Sequence, residues 1–152
     1  MRSNDASGTT AAMIVRVRGA PAGVIAAAAW AAAEPLLGRV FATPYSDVEL
    51  LGGLVARGRA RRPAGLALHL ANGAAFGWAF ERLGGSGPVV GVAAAQAENA
   101  LLWPALAVMD RIHPLRRSGA WPPLVTSPRV AAYELVAHGL FGTVLGVLRR
   151  DR

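Results

Sequence analysis

The chain contains four apolar segments, each long enough to cross a lipid bilayer as an α-helix. The segments are residues 19–40, 63–80, 87–109 and 130–148, and stretches that carry arginine or proline separate them. A helix needs about 20 residues to span roughly 30 Å of hydrocarbon, because each residue advances the helix by about 1.5 Å. The segments therefore predict an all-α integral membrane protein, a four-helix bundle with both termini on one side of the bilayer.

The composition favours lipid as the solvent of this chain. Hydrophobic residues make up 53% of the sequence and charged residues only 16%, whereas soluble domains average about 25% charged residues. The mean hydropathy is positive, at +0.36. We therefore interpret residues 19–152 as a single membrane domain that follows an N-terminal tail, residues 1–18. A soluble helical bundle is the alternative, but its helices would need wide polar faces, and these segments are apolar nearly all round.

The positive charge does not predict a nucleic-acid partner. The net charge is +7 and all sixteen basic residues are arginine, but they lie between the apolar segments. A nucleic-acid surface needs its cations clustered on one folded face. Loop arginines are instead typical of contact with anionic lipid headgroups, so the expected partner is the lipid bilayer. Homo-oligomer formation is left open.

The N-terminus allows a second interpretation. A basic start, an alanine-rich run and the sequence AAAE at residues 31–34 resemble a cleaved secretory signal. Cleavage would remove the first predicted crossing, and an internal repeat argues against it. The chain has no cysteine, which excludes disulfides, thiol catalysis and cysteine-based metal sites.

The two halves of the chain resemble each other. His69, Gly73 and Gly77 align with His138, Gly142 and Gly146 at an offset of 69 residues, and the first and third segments align at 68. Because each half holds two crossings, we predict two parallel two-helix repeats related by an axis along the membrane normal. Chance matching of glycine and alanine patterns is the alternative.

Each segment also carries a GxxxG pair. In lipid, small residues let helix backbones approach closely and associate through dispersion contacts. These glycines therefore predict the packing faces of the bundle. The pairs are Gly19 with Gly23, Gly73 with Gly77, Gly87 with Gly91, and Gly142 with Gly146.

Five ionisable side chains share the glycine-bearing faces. At about 100° per residue, four lie within roughly 40° of a glycine stripe, and the fifth, Glu134, precedes His138 by one turn. All five are predicted to form a buried polar cluster inside the bundle, because ionisable groups in lipid pair, face water or carry function. They are Glu34, His69, Glu98, Glu134 and His138.

The polar cluster is compatible with several roles. Hydrogen-bonded pairs that only fix the helix register are one. A path for protons or a small solute is another, because carboxylates and imidazoles relay protons. Carboxylates and imidazoles also bind divalent metals, and His69 with His138 are candidate axial ligands of haem. The sequence assigns no cofactor.

Several of these positions resemble the YagU-like family of small bacterial inner-membrane proteins. The resemblance rests on Glu34–Pro35, H-x3-G-x3-G from His69, G-x3-G with a later proline in the third segment, and Glu134-x3-His138 followed by LRRD. It covers most of the chain from Gly19 onward and implies a bacterial inner-membrane location. It brings no catalytic residues, and this chain departs from the family in loop length and alanine-rich helices.

No enzyme is predicted from local motifs. The sequence has no GxSxG, GxxxxGK[ST] or HExxH motif, so no catalytic residue is assigned. Of the two long loops, the first contains a partly amphipathic run at residues 48–55. We interpret this run as a polar linker, with an interfacial helix as the alternative. His113, in the second loop, is predicted to lie at the surface.

Overall fold

The computed structural model describes residues 17–150, which form helices joined by turns and irregular segments, with no strand in that range. Only the last two positions of the predicted N-terminal tail are described, and the basic start of the signal-like stretch lies outside the described residues. The α-helices are α1 (Gly19–Val40), α2 (Asp47–Val55), α3 (Arg61–Arg82), α4 (Pro88–Leu102), α5 (Ala105–Ile112), α6 (Pro114–Arg117) and α7 (Pro128–Leu148), and a 3₁₀ turn, Gly58–Ala60, precedes α3.

Three of the four apolar segments correspond to single long helices, α1, α3 and α7. The third segment differs from the prediction, because α4 ends at Leu102 and α5 begins at Ala105. Pro104 lies at the interruption and has no N–H to continue the helical hydrogen bonds. The segment therefore contributes one helix of 15 residues and a shorter one beyond the break.

Two helices within residues 17–150, α1 and α7, are long and apolar enough to cross a membrane. The mean hydropathy of the most apolar part is 1.4 for α1 and 1.5 for α7. Helix α3 has the length, but His69 and Asn72 interrupt its apolar run, and α4 is too short. Core helices of soluble proteins share this length and composition, and so do signal sequences in the case of α1, which lies near the N-terminus. The fold is therefore all-helical with two candidate spans, fewer than the four predicted.

The long helices pack in the order α3, α1, α7, α4, and glycines form the closest contacts. A Cβ atom added to Gly23 would overlap the backbone of Gly73, and one added to Gly77 would overlap Gly19. Helices α4 and α7 touch in the same way, because a Cβ on Gly91 would overlap the carbonyl oxygen of Gly142. Close backbone approach therefore holds α1 to α3 and α4 to α7.

Many large apolar side chains lie on the outside of these helices, although Trp30, Leu37, Phe80, Phe141 and Leu145 are buried. The buried interior is built largely from glycine, alanine and aromatic residues together with polar side chains. Exposed large apolar side chains are numerous on these helices, and extensive exposed apolar surface is unusual for a soluble monomer. Examples on the four long helices are Ile25, Leu36, Leu66, Leu68, Trp78, Val89, Val90, Leu101, Leu135, Val136 and Val147.

Helix α2 replaces the polar linker predicted for residues 48–55. Ser46 caps it, because its Oγ accepts a hydrogen bond from the Glu49 N–H at 3.1 Å. The helix packs on α3 through Gly52 and Gly65, where an added Cβ would overlap the facing backbone. The interpretation as a linker is therefore wrong, and the S-x-x-E sequence at Ser46 is a helix-start signal that could have corrected it.

The second long loop is also packed against the helices. His113 is fully buried and stacks on Trp121 with ring centroids 4.7 Å apart, so its predicted surface position is wrong. Asp110 holds the loop by accepting hydrogen bonds from the N–H groups of Leu124 and Val125. Partial burial raises the pKa of Asp110, but these bonds and Arg116 outweigh that effect and leave its pKa below the usual range.

An ion pair joins the ends of the helices at the terminal side of the bundle. Arg149 is almost completely buried and lies 2.8 Å from the Glu81 carboxylate. The other Glu81 oxygen accepts a hydrogen bond from the Gly19 N–H, at 2.8 Å, and Arg149 donates to the Val17 carbonyl oxygen at 3.1 Å. This group of four residues, the terminal clasp, ties together the start of α1 and the ends of α3 and α7.

Candidate functional site

A cavity of about 150 Å³ lies at the loop end of the bundle, between α3, α4 and α7 and beneath α2. Its walls are mostly apolar, but seven polar side chains converge on it. No arginine lines it among the described residues. The polar lining residues are Asp47, His69, Asn72, Glu98, Asn99, Glu134 and His138.

Four of the five residues of the predicted polar cluster line this cavity, and Glu34 does not. Its carboxylate accepts hydrogen bonds from the Ser46 hydroxyl at 2.6 Å and from the Val48 N–H at 3.1 Å. These contacts fasten the N-terminus of α2 to α1. Negative charge at a helix N-terminus is favourable because the N–H groups there are unpaired. Glu34 therefore positions α2, which forms part of the cavity wall.

His138 and Glu134 form a buried pair on one face of α7. The His138 Nδ1 lies 2.9 Å from the Glu134 carbonyl oxygen and 3.2 Å from its carboxylate. Because a carbonyl oxygen only accepts, Nδ1 carries a proton and donates it. In the neutral ring, Nε2 then keeps the lone pair that can take up a proton.

His69 has the opposite hydrogen-bonding arrangement. Its Nε2 lies 3.2 Å from the Ala27 carbonyl oxygen, so Nε2 is the donor and Nδ1 keeps the lone pair. Between the two histidines lies Trp30, whose indole ring contacts His69 at 5.0 Å and His138 at 4.6 Å between ring centroids. The site thus contains two imidazoles in opposite tautomers, joined by one aromatic ring.

Asp47 and Tyr45 close the cavity on the α2 side. The Tyr45 hydroxyl donates to Asp47 Oδ1 at 3.0 Å, and Oδ2 of Asp47 is buried without a hydrogen-bond partner. Burial, with the negative charges of Glu134 and Glu34, raises the pKa of Asp47 well above its usual range. Burial and the charge of Asp47 also raise the pKa of Tyr45. Asp47 is therefore an acidic group that holds its proton more tightly than an exposed aspartate does.

The cavity does not fit a haem clamped by His69 and His138. The macrocycle would have to displace Trp30, which contacts both imidazoles. No three His, Asp or Glu side chains within residues 17–150 are arranged to hold a metal ion. An absorption spectrum of the purified protein tests for haem, and elemental analysis tests for a divalent metal.

Several residues that line the cavity were not predicted from the sequence. Asn72 lies three residues after His69 and Trp30 four residues before Glu34, so helical spacing alone places both near the predicted face. Helical spacing does not predict Tyr45 and Asp47, because they line the cavity only where the first long loop folds back and α2 packs on α3.

The fold and the cavity together define an all-helical protein with a buried, acid-rich site. No family model matches the chain, and neither a curated protein nor a solved structure shows significant similarity to it.

Proposed function

We propose that this chain is a multi-pass protein of the bacterial inner membrane, in which the cavity binds a small solute and exchanges protons. The distribution of side chains supports the membrane location. Large apolar side chains are exposed on all four long helices, whereas the ionisable groups of Glu34, His69, Glu134 and His138 are buried. Lipid accommodates large apolar side chains on the outside of a bundle, and ionisable groups within a membrane usually face the bundle interior.

The positions of arginine also support four crossings. Arg18 and Arg39 lie at the two ends of α1, Arg62 and Arg82 near those of α3, and Arg129 and Arg149 near those of α7. Each pair is separated by about 20 residues, the length of helix that spans the hydrocarbon. Between Leu83 and Met109 the only ionisable side chain is Glu98. A crossing by α4 and α5 therefore brings one carboxyl group into the membrane.

The glycine contacts support a duplicated hairpin. Gly23 meets Gly73 between α1 and α3, and Gly91 meets Gly142 between α4 and α7. These pairs are equivalent at the offsets of 68 and 69 residues seen in the sequence. Equivalent residues thus make equivalent contacts in both halves, which is the arrangement expected for parallel repeats.

The repeat also pairs the interface between α1 and α7 with the interface between α4 and α3, and the two differ in the residues that face each other near the cavity. Trp30 and Phe141 are in contact between α1 and α7, with ring centroids 6.3 Å apart. Their counterparts in the other half are Glu98 and Asn72, which interact across the space between α4 and α3. An aromatic pair seals one interface, and a polar pair occupies the other.

The proposal of solute binding and proton exchange rests on the residues that line the cavity. It gathers carboxyl groups from α2, α4 and α7 with imidazoles from α3 and α7. Purely structural polar pairs need no cavity between them. Protonatable groups around a space in a membrane bundle are typical of proton and solute pathways.

Single-cysteine variants test the four crossings. The chain has no native cysteine, so Leu68→Cys on α3 and Ala93→Cys on α4 each provide one reporter on an exposed outer face. In intact membranes both are expected to resist a water-soluble maleimide and to react after detergent is added. Ser118→Cys, at an exposed position of the second long loop, is the control and should react in one membrane orientation without detergent. Rapid labelling of the helix positions in sealed vesicles of both orientations would refute the membrane proposal.

Proton exchange is testable in liposomes that contain the full chain and a trapped pH-sensitive dye. We expect the protein to speed the decay of an imposed pH gradient. His138→Asn keeps a donor near the Nδ1 position, and His69→Gln keeps one near Nε2, but both lose the titratable ring. Both variants should therefore fold normally and decay at nearly the protein-free rate. Unchanged decay in folded variants would instead support a structural role for the histidines.

A further inference from the structure

An open gap lies between α3 and α4, and it shares one lining residue, Glu98, with the cavity. By the repeat, this interface is the counterpart of the packed interface between α1 and α7, but α3 and α4, both described in full, are not closely packed. A groove of about 400 Å³ follows the gap towards the terminal side. Its walls include Phe76, Phe80, Val90, Ala94 and Leu101. The side of the bundle is thus open where its outer surface is apolar.

Glu98 lies where the polar cavity meets the apolar groove, because it lines both. It is partly exposed, unlike the buried Glu134. Glu134 has His138 at 3.2 Å, whereas Glu98 interacts with His138 only at longer range and with the amide of Asn72. No arginine lines the cavity or the groove among the described residues. A carboxylate in such surroundings is costly unless a cation accompanies it. The position of Glu98 therefore favours a positively charged ligand.

The aromatic rings of the cavity and the apolar walls of the groove indicate which kind of cation would bind. Trp30, Tyr45 and Trp103 line the cavity, and aromatic rings attract cations through their negative faces. The apolar walls of the groove offer few ligands to a small hydrated metal ion. They can instead contact the apolar part of an organic cation. A ligand with both parts would lie with its charged atom at Glu98 and its apolar body between Phe76, Phe80 and Val90.

We propose that the α3–α4 gap binds a lipophilic organic cation, one positively charged centre attached to aromatic or aliphatic groups, which enters sideways from the bilayer. This proposal rests on the proposed function and names the class of solute for the same cavity. The carboxyl group of Glu98 provides the counter-charge, and the groove provides the apolar surface. Because the gap opens laterally, the ligand reaches the site without crossing the polar loops.

Tetraphenylphosphonium is a suitable probe, and tetraphenylborate is an anion of nearly the same shape. The full chain in a neutral detergent is dialysed against each ion, with protein-free micelles as the blank. We expect saturable binding of the phosphonium and none of the borate above the blank. Glu98→Gln should weaken phosphonium binding by at least about tenfold, which corresponds to about 1.4 kcal/mol. Glu49→Gln removes a carboxylate outside the cavity and groove, so it controls for net charge and should bind like the unmodified chain.

A second variant tests the groove independently of its charge. Ala94→Trp should fill part of the groove and reduce phosphonium binding while the helical circular dichroism is unchanged. Equal binding of both ions, or full binding by folded Glu98→Gln, would overturn the proposal. So would a dimer in detergent that Ala94→Trp dissociates, because a second copy would then cover the groove. If cysteine labelling and proton exchange succeed while phosphonium fails to bind, only the ligand class is wrong.

Discussion

Gly142→Ala is expected to destabilise the bundle by about 1–3 kcal/mol, the cost of overpacking a close contact. The added Cβ would lie 2.5 Å from the Gly91 carbonyl oxygen and 2.6 Å from the Val92 Cα. Both are backbone atoms, so no side-chain rotation relieves the overlap, and α4 must move away from α7. Thermal unfolding of the detergent-solubilised protein, followed by far-ultraviolet circular dichroism, measures the loss.

Gly139→Ala is the matched control, three residues earlier in α7. Its Cβ would meet only the Gln96 Nε2, at 3.8 Å, which is ordinary contact. Alanine has the higher helix propensity, so this variant should be more stable than the unmodified chain by about 0.5–1 kcal/mol. The same chemical change is thus expected to have opposite signs at the two positions. A similar effect at both would mean that α4 and α7 do not touch at Gly142.

Arg149→Met should cost about 3 kcal/mol, the lower end of the range for breaking one side of a buried ion pair. Arg149 has 2% of its side chain exposed and Glu81 has 36%. Water can therefore solvate the Glu81 carboxylate when Arg149 is removed, which lowers the free-energy cost of leaving it unpaired. The variant also loses the hydrogen bond to the Val17 carbonyl oxygen, which should loosen the start of α1. The unfolding midpoint of the solubilised protein reports the change.

Arg82→Met controls for the loss of one arginine at the same end of the bundle. The Arg82 guanidinium lies 5.2 Å from the centre of the Trp78 ring, and Trp78 is half exposed. Exposed contacts of this kind contribute about 0.5–1 kcal/mol. The free energy of unfolding should therefore fall clearly less in Arg82→Met than in Arg149→Met. Equal losses would show that net charge, rather than the terminal clasp, stabilises this end.

Local periodicity predicted the long helices well and their interruptions poorly. The bounds of α1 match the prediction, because helix formation there depends on neighbouring residues. Pro104 divided the third segment, and its effect on backbone hydrogen bonding was available from the sequence. Helix α2 was signalled by Ser46 and Glu49, but its packing on α3 depends on contacts distant in the chain. The number of membrane crossings stays a prediction, since α1 and α7 alone within residues 17–150 are long and apolar enough to cross a membrane.

Helical spacing placed four of the five cluster residues on faces that meet at one cavity. Glu34 has the same kind of spacing, yet it binds Ser46 and the start of α2 instead. Asp47 lines the cavity, although nothing in its own segment of the sequence predicts this position. A helical repeat of 3.6 residues gives the direction of a side chain, but not the element that the side chain will meet.

The sequence alone predicted approximately where α1, α3 and α7 begin and end, the glycine-bearing faces of the long helices and the residues that lie on those faces. These properties follow from interactions within one or two helical turns. Tertiary structure alone decided that Trp30 separates the two histidines, that α2 closes the cavity and that α3 and α4 leave a gap in which Glu98 lines both the cavity and the groove. Those features depend on how helices pair across the molecule, and the spacing of residues within one helix carries no information about its neighbours.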